Sequence, residues 1–168
     1  MALSYDLLAR VYDRLYSQEQ AAKIRVVLEL QPPLEPVLDV GCGTGLLLER
    51  VPCYCVGLDL SLGMLKAAKA RGRVRHGDLV CGDAEQMPFR DSSLRTVYSV
   101  TVLHEAPLAL DEILRVLKQE GRAAVTLLRK RIELLPKLLE KLNGAEVYDE
   151  PDLKDVVIIF KGRGDRSE

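Results

Sequence analysis

VLDVGCGTG, residues 37–45, sets a short apolar strand, an acid and three alternate glycines within nine positions. A buried strand running into such a turn opens a strand–loop–helix crossover, and in open α/β sheets ligands sit beyond the carboxyl ends of the strands. Gly41, Gly43 and Gly45 let the backbone bend sharply and approach a ligand closely. The dinucleotide fingerprint G-x-G-x-x-G asks for glycine at position 46, where this chain has Leu46. Asp39, just before the first glycine, would repel a diphosphate and favour an ammonium or sulfonium. Asp59 ends the next apolar run, 18 residues beyond Gly41, where a carboxylate can accept both hydrogen bonds of a ribose diol. The loop therefore points to a cationic nucleoside ligand without phosphate.

Outward from that loop, short apolar runs alternate with helical patterns. CYCVGLDL, DLVCGDA, RTVYSVTVL and RAAVTLLR read as strands after PVLDV. The intervening TGLLLERV, SLGMLKAAKARG (opened by Ser61 as N-cap), LALDEILRVLKQEG (stopped at Gly121) and residues 132–142 read as helices. AEVYD and DVVIIF, joined across Pro151, read as a hairpin adding an antiparallel edge. Residues 1–31 read as helix, with a second stretch from Gln18 to Leu30, and Tyr5, Tyr12 and Tyr16 fall on one helical face. The expectation is a doubly wound, mostly parallel α/β sheet under an N-terminal helical cap.

Length and composition fit a single domain: a cap over 1–31, a core over 36–162 and a polar tail over 163–168. The 24 Lys and Arg nearly cancel 25 Asp and Glu, so no global field draws the chain to DNA, RNA or a membrane. No signal-peptide core and no membrane-length apolar run is legible, and a cytoplasmic protein is expected. Cys42, Cys53, Cys55 and Cys81 read as buried thiols, Cys53 and Cys55 sharing one strand face. Their spacing, with His76 as sole nearby histidine, does not make a zinc site, and no metal is expected. The single Asn143 fits a thermophilic source, which would also permit an internal disulfide.

VLDVGCGTG, VGLDLS, GDAEQMPF and LDEILRVLKQEGR, in this order and spacing, resemble the class I S-adenosylmethionine-dependent methyltransferases over residues 5–130. The resemblance implies a Rossmann-like, seven-stranded sheet whose last strand is antiparallel. It implies S-adenosyl-L-methionine as cofactor and S-adenosyl-L-homocysteine as product. Gly41, Cys42, Gly43 and Gly45 would lie along the methionine end, Asp39 would meet its amino group and Asp59, with Leu60, the ribose. Asp83 would read the adenine amino group with Ala84 beside it, Val100 would line the same site, and Tyr12, next to Asp13, would close over the cofactor. Each carries a plainer alternative: a tight turn for the glycines, a helix start for Asp59, a turn for Asp83 and core packing for the tyrosines.

The fourth strand ends in SVTVLHEAP, where His104 could take a proton from an acceptor and Glu105 orient it; a structural His is the alternative. The tetrapeptide Asn-Pro-Pro-Tyr of relatives that methylate planar amides is absent; Arg95 replaces a common Asp, and Gln119-Glu120 a Pro-Gly turn. LLRKRIELLPKLLEKL passes from strand to helix with no inserted lid, and an open site favours a large acceptor, RNA (tRNA) or protein. Arg71, Arg73, Arg75 and Arg129, Lys130, Arg131 could contact phosphate, although helix-end and surface charge explain them as well; RGD at 163–165 reads as coincidence. YDLLARVYDRLYSQEQ looks similar to short methyltransferases related to tRNA-modifying enzymes that work with a small zinc-binding activator, which predicts an exposed apolar docking strip. The competing readings are a small-molecule methyltransferase, a non-catalytic cofactor-binding subunit and an NAD-linked oxidoreductase.

Overall fold

A computed structural model describes residues 2–142 and 144–163. Asn143 and most of the polar tail, with the last two residues of RGD, lie outside the described residues. Helices α1 (Ala2–Leu8) and α2 (Tyr12–Leu30) precede β1 (Val37–Val40), β2 (Cys55–Asp59), α3 (Leu62–Ala70), β3 (Leu79–Cys81) and β4 (Leu94–Ser99). Then follow α4 (Ala109–Val116), β5 (Leu117–Leu128), a 3-10 turn (Arg129–Leu134), α5 (Leu135–Leu139), β6 (Glu146–Tyr148) and β7 (Asp155–Lys161).

The seven strands form one sheet in the order β3-β2-β1-β4-β5-β7-β6. Strands β1 to β5 pair in parallel, and β7 alone runs against its neighbours. The fold class read from the chain therefore holds, with one correction. The antiparallel strand is not the edge: β7 inserts between β5 and β6, leaving three-residue β6 outermost. DVVIIF is buried throughout, as a strand flanked on both sides must be, whereas Glu146 and Val147 are exposed.

β1 is buried at all four positions, and its side chains alternate between two cores. Leu38 and Val40 join Val97, Val125 and the apolar face of α4, Leu110, Ile113 and Leu114. Val37 faces the other layer with Tyr98, Ala124, Ile24 and Val27 of α2 and Leu65 of α3. Asp39 has the same parity as Val37, so the one acid of the strand is turned under α2.

Several local expectations change. Residues 46–51 form turns rather than a regular helix, with Leu46, Leu47 and Leu48 all buried. Three consecutive buried leucines cannot share one helical face, and Pro52 leaves too little chain to nucleate a helix. The N-terminal helix breaks at residues 9–11, so Tyr5 is on α1 while Tyr12 and Tyr16 are on α2. α4 ends at Val116 and β5 starts directly, ahead of Gly121, with a register shift against β4 between Leu94 and Thr96. The segment read as a helix from 132 begins as the 3-10 turn with a kink at Arg131. Of the four free thiols only Cys42 and Cys55 are buried; Cys53 precedes β2 and Cys81 is exposed. No helix of the described residues is long and apolar enough to cross a membrane.

Candidate functional site

Strand order reverses at β1, between β2 and β4, and a cavity opens where those three strands end. Gly41, Gly43, Asp59, Leu60, Asp83, Ala84, Val100 and Tyr12 all line it. The β4 loop is close-packed on Gly41: a Cβ there would lie 2.4 Å from Val102 Cγ2, and Gly41 adopts φ +71°. Gly43, at φ +53°, has open space where a side chain would stand, so a ligand can approach the backbone closely at that position. Gly45 lies outside the cavity; a Cβ there would press at 3.2 Å on Ala68 and Arg73, so its smallness serves packing on α3.

Asp59 is pinned from below. Gly43 N–H donates to its Oδ2 and Ser61 N–H to its Oδ1, both at 2.8 Å, leaving further lone pairs toward the cavity. Burial pushes its pKa up, and those two donors counter the shift. Asp39 opens on a narrower adjoining chamber with Gln20, Gly41, Cys42 and Val100. It is 3% exposed, and its carboxylate makes no hydrogen bond or ion pair among the described residues. Burial first, then repulsion from Asp59, holds its pKa well above the ordinary carboxylate value. A buried and a half-buried carboxylate, with no Lys or Arg lining either chamber among the described residues, form a cradle for a positive ligand and a barrier to a diphosphate. An ammonium at Asp39 and a diol at Asp59 fit this donor and acceptor set. Cys42 contributes backbone here, while its thiol packs in the core near Gly57.

The rim beside Asp83 is built by the third and fourth motifs together. Asp83 is exposed on the rim, and its Oδ1 accepts Glu85 N–H at 2.8 Å, so it makes the turn as well as lining the cavity. Glu112 of α4 accepts Met87 N–H at 2.7 Å, and Arg115 donates to Met87 O at 3.0 Å and Phe89 O at 2.8 Å. The LDEILRVL helix thus carries the clamp that shapes GDAEQMPF.

The cover comes from the N-terminus instead of a lid after β5. Tyr12 faces the cavity while Asp13 accepts from Thr44 Oγ1 at 2.6 Å and pairs with Arg73 at 2.7 Å. On α1, Asp6 accepts from Ser61 Oγ and from Gly63 N–H, tying α1 onto α3. Tyr5 donates to Glu105 at 2.9 Å. Tyr5, Tyr12, Thr101 and Glu105 line both the cavity and an outer cleft whose wall adds Tyr16, Glu19, Gln20 and His104. His104 Nε2 lies 3.5 Å from Glu105 Oε1, and its buried Nδ1 has no partner among the described residues. His104 thus opens on the outer cleft, while Glu105 stands at the junction.

The basic residues are mostly committed within the chain. Arg71 and Arg73 bind Asp13, Arg129 pairs with Asp149, and Arg131 with Glu133.

Sequence reasoning missed the buried pair beneath the cleft. Lys23 and Asp155, both fully buried, lie 2.9 Å apart. Thr101 and Thr126 hydroxyls donate to Asp155 Oδ2 at 2.8 and 2.6 Å, and Lys23 also donates to Thr101 Oγ1. This network holds Thr101 at φ +59°, a left-handed backbone that β-branched residues rarely adopt. A lysine on an amphipathic helix and an aspartate beside a turn read as surface residues, and no local signal joins them.

Residues 38–125 match the methyltransferase-domain family. The malonyl-[acyl-carrier protein] O-methyltransferase of Herminiimonas arsenicoxydans is 37% identical over 131 residues, covering 73% of this chain and 48% of that protein. The demethylmenaquinone methyltransferase of Thermotoga maritima is 31% identical over 153 residues, covering 86% of this chain and 62% of that protein. The chain thus spans about half to three fifths of these curated relatives. Among solved structures, a Haloferax volcanii protein in complex with the Trm112 methyltransferase activator superposes with a TM-score of 0.83 at 16% identity. That superposition covers 99% of both chains and bears on the fold alone.

Proposed function

The chain belongs to the class I S-adenosylmethionine-dependent methyltransferases, and from its cleft we propose that it methylates an acceptor presented by a protein, with help from a small activator subunit. The observation that carries the cofactor half is Asp39, buried, unpartnered and beside Asp59. In this reading Asp39 and the 41–43 backbone hold the amino-acid end of S-adenosyl-L-methionine, Asp59 the ribose, and Leu60, Asp83 and Ala84 the base. The cofactor supplies an activated methyl on a sulfonium. The chain's own task is alignment and exclusion of water, and positioning of this kind lowers a barrier by roughly 7–11 kcal/mol. Tyr12 and Tyr5 close the near side of the cavity, and Glu105 with His104 stands where a proton leaves the acceptor.

Protein is favoured over RNA as acceptor because Arg71, Arg73, Arg129 and Arg131 are engaged internally and no Lys or Arg lines the described cavities. The activator rests on the Haloferax neighbour and on Leu7 and Leu62, which stand exposed where α1 meets α3.

Calorimetry with S-adenosyl-L-methionine, S-adenosyl-L-homocysteine and NAD tests the cofactor reading: the first two bind and NAD does not. Incubation of labelled cofactor with protein, RNA and metabolite fractions, with and without co-purifying partners, tests the rest. Label entering RNA alone would overturn the acceptor assignment, and no label in any fraction would favour a non-catalytic subunit.

A further inference from the structure

The charged groups that line the cavity and its outer cleft are Asp59, Asp83, Glu105, Glu19 and His104, and Asp39 faces the adjoining chamber. No Lys or Arg lines any of the three. Glu19 is matched by Lys23 and Lys154, at 2.8 and 2.6 Å. Glu105 is not so matched: its neighbours are the neutral Tyr5 hydroxyl and His104. A ligand of net charge +1, as the sulfonium cofactor is, leaves this surface still negative.

Aromatic rings complete the wall. Tyr12 and Tyr16 have ring centroids 5.1 Å apart, and Tyr5 of α1 lines the same cleft. Burial pushes the Tyr12 hydroxyl up to about 12, so its ring stays neutral and keeps an electron-rich face. Tyrosine faces beside an unpaired carboxylate attract a cation and repel an anion. An acceptor bearing carboxylate or phosphate next to its nucleophile would find no counter-charge here.

We infer that the acceptor group is an amine that arrives as an ammonium ion, held between the tyrosine faces and Glu105. This assignment rests on the methyltransferase reading and names the nucleophile for that site. The ammonium gives one proton to the Glu105 carboxylate, which keeps free lone pairs beside the Tyr5 hydroxyl and has His104 Nε2 3.5 Å away. The freed nitrogen lone pair then attacks the methyl carbon. The C–N bond forms as the C–S bond breaks, and that bond's electron pair stays on sulfur. The products are a methylammonium ion and S-adenosyl-L-homocysteine, so charge and atoms balance.

Three probes sharing one ring test the assignment: tyramine, p-cresol and 4-hydroxyphenylacetate, a cation, a neutral and an anion. Their binding is read by saturation-transfer NMR on the full chain, with and without S-adenosyl-L-homocysteine. The expected order is tyramine about tenfold tighter than p-cresol, with no binding of the anion. Glu105→Gln is expected to remove most of that tenfold preference while p-cresol still binds. Equal binding of tyramine and p-cresol, tighter binding of the anion, or a preference untouched in Glu105→Gln would each overturn the assignment. Failure of S-adenosyl-L-homocysteine to bind would instead count against the methyltransferase reading, while the cation preference of the ligand-free cleft would still decide this one.

Discussion

Asp39 is the residue at which sequence, burial and chemistry meet. Its carboxyl titrates above the unperturbed 3.8 in the native chain because burial and Asp59 oppose its charge. The native state therefore holds a proton that the unfolded chain has released, and stability without ligand falls as pH rises from 3.8 toward the native pKa. Asp39→Asn removes that fall. Below 3.8 it should match the wild type, and at neutral pH without ligand it should be the more stable protein, Asp59 retaining its own part of the slope. If Asp39 holds the cofactor ammonium as proposed, the same change removes a charge-assisted contact, and cofactor affinity should drop roughly 10- to 100-fold. Thermal denaturation over a pH series, paired with calorimetry, reads both effects. A variant less stable than wild type at neutral pH would show that Asp39 has an internal partner after all.

At the scale of elements, what was legible depended on whether neighbouring residues or distant ones decided the outcome. The parallel strands could be read because apolar runs flanked by turn residues have few alternatives, and Ser61 because capping is local: its Oγ accepts Met64 N–H at 3.1 Å. The break at residues 9–11 could not, since neither Gly nor Pro stands there. Asp6 bound to Ser61 and Gly63, and Asp13 bound to Thr44, impose it from opposite sides. The glycine loop was legible as a sharp turn at a strand end, where Gly41 and Gly43 line the cavity, yet Gly45 serves helix packing, which its sequence spacing could not reveal. Likewise, the third and fourth motifs were visible as a pair in order, while the reason for the pairing is the clamp of Glu112 and Arg115 on Met87 and Phe89. Arg115→Ala should cost about 1.5–3 kcal/mol, the range for hydrogen bonds to a charged group. It should also weaken cofactor binding several-fold by loosening the 83–89 rim, roughly threefold or more on the same scale. Urea denaturation and calorimetry check the two separately, and an unchanged cofactor affinity would mean that Asp83 and Ala84 hold their places without α4.

Across the whole molecule, the Lys23–Asp155 pair joins the N-terminal cap to the last strand, with both charges fully out of water. Such a pair is weak evidence for stability, because desolvation of two ions offsets much of their attraction. Its consequence is geometric. α2 cannot lift from the sheet without leaving a buried carboxylate behind, and Thr101, on the floor shared by cavity and cleft, loses the partners that hold its left-handed backbone. Lys23→Met should therefore cost about 3–5 kcal/mol by stranding Asp155. Adding Asp155→Asn, which keeps an acceptor for Thr101 and Thr126 but removes the charge, should recover part of that loss. Denaturant midpoints of the two single variants and the double variant give the coupling directly. If the double variant is no more stable than Lys23→Met, the uncompensated charge is not the cause. If stability returns but methyl transfer does not, the network acts by shaping the β4 loop, and the cap is then part of the active site's geometry as well as its cover.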